Sequence, residues 1–133
     1  SILFINFAFV KSLILFNSLM KQVFDYLESA DFAATVCDKE GIVVYQNALS
    51  VAADGDAIGR NLFKCHSSKS NDKIRHMLQT GENNTYQIIK RGRHYLIHHS
   101  PWYDNDTNEV AGLIELSIPL PDEYPTYNRD KHE

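Results

Sequence analysis

Phe32-Ala-Ala-Thr-Val-Cys-Asp-Lys-Glu-Gly-Ile-Val-Val-Tyr-Gln-Asn47, read with Gly59-Arg-Asn-Leu-Phe-Lys-Cys-His66, decides the fold of this chain. An apolar run reaches Asp38, passes through Lys39 and Glu40 to Gly41, and resumes as Ile42 to Tyr45 before Asn47. Glycine adopts positive φ at little cost, and an acidic side chain ahead of such a turn accepts hydrogen bonds from its backbone. The stretch therefore predicts a β-hairpin, with strands over 33–37 and 42–46, leading into short helical turns at Ala48–Ala53 and Ile58–Lys64.

Upstream, residues 12–29 read as a helix, because Leu13, Phe16, Met20, Val23, Phe24 and Leu27 recur at intervals of three and four. Downstream, Ser70 reads as the N-cap of a longer helix that carries Ile74, Met77 and Leu78 on one face and stops at Gly81. Three β runs follow, at 85–91, 94–103 and 109–118, with Gly92-Arg93 as the first turn. In the last run Val110, Gly112, Ile114, Leu116 and Ile118 alternate with Glu115 and Ser117, so one face is expected to be buried. Pro119, Pro121 and Pro125 end the ordered sheet, and 121–133 reads as a polar tail.

The bulk properties bound the function. A chain of 133 residues with 44% hydrophobic and 23% charged residues suits one soluble domain. A net charge of −4 supplies no basic stripe for nucleic acid. Two cysteines, Cys37 and Cys65, are too few for a disulfide scaffold and read as small buried hydrophobes in a reducing, cytoplasmic setting. No glycine-rich phosphate loop, nucleophile elbow or zinc-protease motif is present, so an enzyme is not expected.

Residues 1–23 form an apolar segment of a different character. Three readings are open for it: a docking or homodimer helix, a leader ahead of Met20, or a membrane anchor. Lys11 near the middle of the apolar run speaks against the last of these.

The order of helix, two strands, two short helices, a longer helix and three strands resembles a PAS (Per-Arnt-Sim) domain over about residues 24–120. Asp38, Gly41, Tyr45 and Asn47 are similar to the family's D-x-x-G-x-x-x-Y-x-N opening, and Gly59-Arg60-Asn61 is similar to the start of its fourth helical element. Cys65-His66-Ser67-Ser68-Lys69-Ser70 resembles the Cys-His-Pro-Pro-Lys-Ser run of a bacterial subgroup, with serine at both proline positions. The resemblance implies an α+β fold, with a five-stranded antiparallel sheet, helices on one face and here an extra amino-terminal amphipathic helix. It also implies a sensory role: binding a small molecule or cofactor between sheet and helices, and signalling through protein contacts, with a homodimer through the amino-terminal helix expected. A ligand-free interaction module is the alternative. The residues expected at the ligand site are His66, Asn71, Ile74, Leu78, Tyr86, Ile88, His98 and Ile114.

The resemblance leaves the cofactor open. Flavin photosensors of the light-oxygen-voltage type have their reactive cysteine directly after Gly-Arg-Asn, where this chain has Leu62. Cys65 lies about 5 Å further along a helix axis, so flavin is not expected. Heme-binding relatives place a histidine early in the long helix, where this chain has Asn71, which leaves heme ligation through His66 as a further alternative. A metal held by His94, His98 and His99 is not expected. His94 and His98 are about 13 Å apart along a strand, and His98 and His99 point to opposite faces.

Overall fold

The structure, a computed structural model, describes residues 6–130, and within them every side chain but those of Val23 and Cys65. The parts of the amino-terminal segment at 1–5 and of the carboxy-terminal tail at 131–133 lie outside the described residues. So does the environment of the Cys65 thiol.

The chain forms α1 (Phe7–Glu28), β1 (Ala33–Asp38), β2 (Val43–Gln46), α2 (Ala48–Asp54), α3 (Leu62–Cys65), α4 (Ser68–Thr80), β3 (Asn84–Lys90), β4 (Arg93–Tyr103) and β5 (Val110–Pro119). The five strands make one antiparallel sheet in the order β2-β1-β5-β4-β3. This is the α+β architecture expected from the sequence.

The first hairpin forms as its residues dictate. The Asp38 carboxylate accepts from the backbone N–H of Glu40 and of Ile42, both at 2.9 Å, and Gly41 takes φ +81°. The outer edge of β2 is covered rather than left bare. Val43 N–H donates to the Arg60 carbonyl, Gly59 N–H donates to the Val43 carbonyl, and Ile42 bridges Asn61. The Gly-Arg-Asn stretch thus caps an edge that would otherwise invite pairing with another chain.

Asn47 joins three elements from a fully buried position. Its Oδ1 accepts from Ala34 N–H at 2.9 Å and Ser50 N–H at 3.1 Å, which makes it the N-cap of α2. Its Nδ2 donates to the carbonyls of Leu27 at the end of α1 and Phe32 before β1.

Side chains alternate across the sheet, and the register assigns each to a face. Thr35, Cys37, Leu113, Glu115 and His99 share the face under α3 and α4, where Cys37, Ile74, Met77 and Leu113 form the core cluster. Val36, Ile114, Leu116, Leu96 and Trp102 lie on the opposite, outer face. Gly112 is on that face too, and the absence of a side chain there has a direct use. The Trp102 indole crosses β5 over Gly112 and its Nε1 donates to the Cys37 carbonyl at 3.0 Å.

Two local expectations shift. The cap of α4 is Ser67 rather than Ser70, because Ser67 Oγ accepts from Ser70 N–H and the helix begins one turn earlier. The β3–β4 turn is Arg91-Gly92, both at positive φ, so Arg93 already belongs to β4.

α1 extends beyond the prediction, to Phe7, and meets the domain near its carboxy-terminal end, where Phe24 stacks on Tyr45 with ring centroids 5.3 Å apart. It runs without interruption through Met20. By length and composition alone it is long and apolar enough to cross a membrane.

Candidate functional site

Between the sheet and the helical layer lies a cavity of about 670 Å³, open to solvent on one side. The geometry follows from helix length. α3 has one turn and α2 two, so they leave uncovered part of the sheet that a long helix would fill.

One part of the cavity is apolar, formed by Cys37, Val43, Leu62, Ile74, Met77 and Leu113. Another part is polar. His99 Nε2 lies 2.6 Å from Glu115 Oε2, across neighbouring positions of β4 and β5. The Tyr86 ring tilts against His99 at 5.9 Å, and Lys73 Nζ sits 5.9 Å from the centre of the Tyr86 ring. Arg60, His66, Lys69 and Lys73 are exposed and form part of the rim.

Burial, with the Glu115 carboxylate as a second cause, pushes the Tyr86 phenol above its ordinary value and keeps it a proton donor. Burial likewise pushes the Cys37 thiol up, against a partly compensating hydrogen bond from Leu113. Cys37 therefore stays a packed thiol rather than a nucleophile.

Of the eight residues expected at the site, His66, Ile74 and Tyr86 line the cavity. Asn71 and Leu78 lie behind its wall. Asn71 Nδ2 donates to the Phe63 carbonyl at 2.7 Å, and Leu78 packs against the core cluster. Ile88 is on the cavity side of β3 but beyond the cavity's end, paired with Tyr95. His98 and Ile114 are corrections. Both are on the outer face, where His98 Nδ1 bonds Thr85 Oγ1, and the inward histidine is its neighbour His99. The apolar alternation of β5 was legible, but its apolar phase points outward and Leu113 and Glu115 point in.

Sequence reasoning also passed over Thr35, Gln46, Met77 and the His99–Glu115 pair. One signal was available for the pair: Glu115 is the one charged residue in the otherwise uncharged strand β5.

His66 lines the cavity, but its ring is exposed and no hydrogen bond orients it among the described residues. Metal-ligating histidines ordinarily donate their second ring N–H to an acceptor, so this position fits an iron ligand poorly. Among the described residues no cluster of three His, Cys, Asp or Glu side chains could hold a metal ion.

This architecture is a five-stranded antiparallel sheet with short helices enclosing a cavity on one face, an α+β sandwich of sheet and helical layer. Comparison with solved structures makes it specific: the chain has the PAS fold. It superposes on the PAS domain of the histidine kinase ThkA with a TM-score of 0.55 at 20% identity, covering 67% of this chain and 99% of that one. A PAS domain from Colwellia psychrerythraea gives a TM-score of 0.56 at 16% identity, covering 77% and 97%. VqmA bound to DPO gives 0.62 at 19% identity, covering 77% of this chain and 58% of VqmA. No protein-family model and no curated protein matches the chain.

Proposed function

We propose that this chain is a non-enzymatic sensory module that binds a small organic molecule in the sheet–helix cavity and signals through protein contacts in the cytoplasm. The observation that carries this reading is the cavity itself. Its volume is in the range of ligand sites, and its wall combines an apolar bed with a few convergent polar groups. VqmA, described bound to DPO, offers a precedent within the fold. A ligand-free module would be expected to fill this space with side chains.

Mass spectrometry of a denatured extract of the purified protein tests the reading, together with an absorbance spectrum. A stoichiometric small molecule without heme or flavin bands is the expected result. Empty extracts from several preparations, with no compound in a metabolite library raising Tm, overturn it, since any ligand bound by the native state alone must stabilise it.

The output surface in this reading is a homodimer through α1. Phe7, Phe9, Leu13, Ile14, Phe16 and Leu19 are all exposed on the protomer. The outer sheet face, with Leu96, Ile114, Leu116 and Ile118, is only half-buried. Each copy thus offers one apolar helix and one apolar sheet face, the self-complementary pair a two-fold contact uses. Light scattering on the chain with and without residues 1–19 tests this. A dimer that persists after deletion sinks it, as does a monomer that partitions into vesicles through α1.

A further inference from the structure

The strand register lays one polar row across the cavity floor. Gln46, Thr35, Glu115, His99 and Asn84 are neighbours on β2, β1, β5, β4 and β3 in turn, and all five line the cavity. The next row toward the first hairpin, Val43, Cys37, Leu113 and Pro101, is apolar. Polar groups under a helical layer are costly unless paired, so the partners already taken decide what the row can still bind.

The two ends of the row offer little. The Gln46 amide is saturated: Nε2 donates to Ser50 Oγ and the Gly55 carbonyl, and Oε1 accepts from Ala57 N–H. His99 Nε2 is committed to Glu115, and His99 Nδ1 has no accessible surface. Asn84 is partly exposed on edge strand β3.

The middle of the row is different, and proton counting shows why. Reversing the Gln46 amide would set oxygen against the Gly55 carbonyl and NH2 against Ala57 N–H, so Nε2 is the atom that donates to Ser50. Ser50 is fully buried, and its own proton has Thr35 Oγ1, at 2.6 Å, as acceptor. The Thr35 proton is then left without a protein acceptor among the described residues, and Thr35 is partly exposed at the cavity wall. Its cross-strand partner Glu115 holds His99 with Oε2, while Oε1 has no hydrogen-bond partner among the described residues. That oxygen is not among the buried unpartnered atoms, so it is open to the cavity. One free donor and one free acceptor thus stand side by side, on residues whose Cβ atoms are about 5 Å apart in such a pair.

Charge narrows the choice further. The Glu115 carboxylate disfavours an anion on the floor, and on the rim Arg60, Lys69 and Lys73 outnumber Asp54 and disfavour a cation.

We propose that the floor of the cavity reads an amide-type edge: a neutral ring molecule with N–H beside C=O, whose carbonyl accepts from Thr35 and whose N–H donates to Glu115 Oε1. The apolar remainder of the ring meets Val43, Leu62, Ile74 and Leu113. This rests on the ligand-binding reading above and names the ligand class for the same site.

Three bicyclic probes separate the two contacts by calorimetry on the full chain. The lactam 2-quinolone has both groups, N-methyl-2-quinolone lacks the N–H, and tetrahydroquinoline lacks the carbonyl. The lactam is expected to bind about tenfold more tightly than either analogue, the factor that one hydrogen bond to a site built for it supplies. Glu115→Ala is expected to weaken 2-quinolone by a similar factor and leave N-methyl-2-quinolone unchanged. Thr35→Val is expected to weaken both quinolones and spare tetrahydroquinoline, with Thr35→Ser restoring the wild-type affinities. Equal affinity of the wild type for the two quinolones, or an equal effect of Glu115→Ala on both, overturns the Glu115 contact. Equal affinity for 2-quinolone and tetrahydroquinoline overturns the Thr35 contact, and these comparisons need no variant to fold. Tighter binding of the anion quinaldate than of 2-quinolone overturns the neutral class, and failure of all three probes to bind in the millimolar range overturns the amide-type edge. The proposal falls alone if the denatured extract contains a small molecule without such an edge. It falls with the ligand-binding reading if extract and metabolite library both yield nothing.

Discussion

Asn47→Ala is the substitution whose cost follows most directly from the structure. The side chain is fully buried and makes four hydrogen bonds, to Ala34 N–H, Ser50 N–H, and the Leu27 and Phe32 carbonyls. Alanine leaves all four backbone groups without that partner at a site closed to water. At about 1 kcal/mol net per bond, the loss is about 4 kcal/mol. A typical domain has only 5–15 kcal/mol of total stability, so this is a large fraction of it. With an m-value of about 2 kcal/mol/M, the urea midpoint should fall by about 2 M. Trp102, the single tryptophan, reports the transition by fluorescence. Asn47→Asp sharpens the test. It keeps both acceptor bonds but loses both donors and sets a carboxylate against two carbonyl oxygens, so at neutral pH it should rescue little. A loss below about 1 kcal/mol for the alanine variant would refute the argument, because it would mean that the four groups find other partners or reach water.

Gly112→Ala should cost roughly 3 kcal/mol or more in a thermal melt, since the new methyl collides with the Cys37 carbonyl and the Trp102 indole; wild-type stability would show that Trp102 does not cross there. Cys37 should resist iodoacetamide in the native state and react on unfolding, because it is buried and its thiol is held protonated. The same raised value has a linkage consequence. The unfolded chain releases this proton from about pH 9 upward while the native state retains it, so stability present below that pH declines as pH rises. Cys37→Ala should flatten the alkaline decline measured by urea midpoints across pH, and an unchanged slope would assign the decline elsewhere. Glu115→Gln should leave the fold intact but weaken the hold on His99, read as a shift of the His99 ring signals in NMR; unshifted signals would mean the pair is not formed in solution.

The parts of the fold that were legible in the sequence are those decided by local chemistry. Asp38 and Gly41 specify a turn within a few residues, Gly81 ends α4 in the left-handed conformation, and both act without knowledge of the rest of the chain. The cap of α4 was missed because Ser67 and Ser70 are both good cap residues, and the choice depends on where the chain leaves α3. The site depends on facing, and facing is a non-local property. His98 and His99 differ by one position on β4, and only the pairing of His99 with Glu115 and of both with the helical layer selects the inward one.

The reversed face of β5 carries the same lesson into function. A strand with Gly112, Ile114, Leu116 and Ile118 on one side and Leu113, Glu115 and Ser117 on the other should bury the first set, if the core were the only apolar destination. Here the more polar set faces inward, because part of what lies inside is a cavity. Glu115 is tolerated there because it has His99 as partner and partial access to solvent. The more apolar set faces outward, toward the surface beside α1. The pattern that misplaced Ile114 therefore supports both functional proposals: a polar-lined pocket requires the inward phase, and an apolar outer face has a use only if a second surface covers it. A chain truncated before residue 20 that stayed soluble and monomeric without self-associating through this face would separate the two, leaving the pocket and removing the interface.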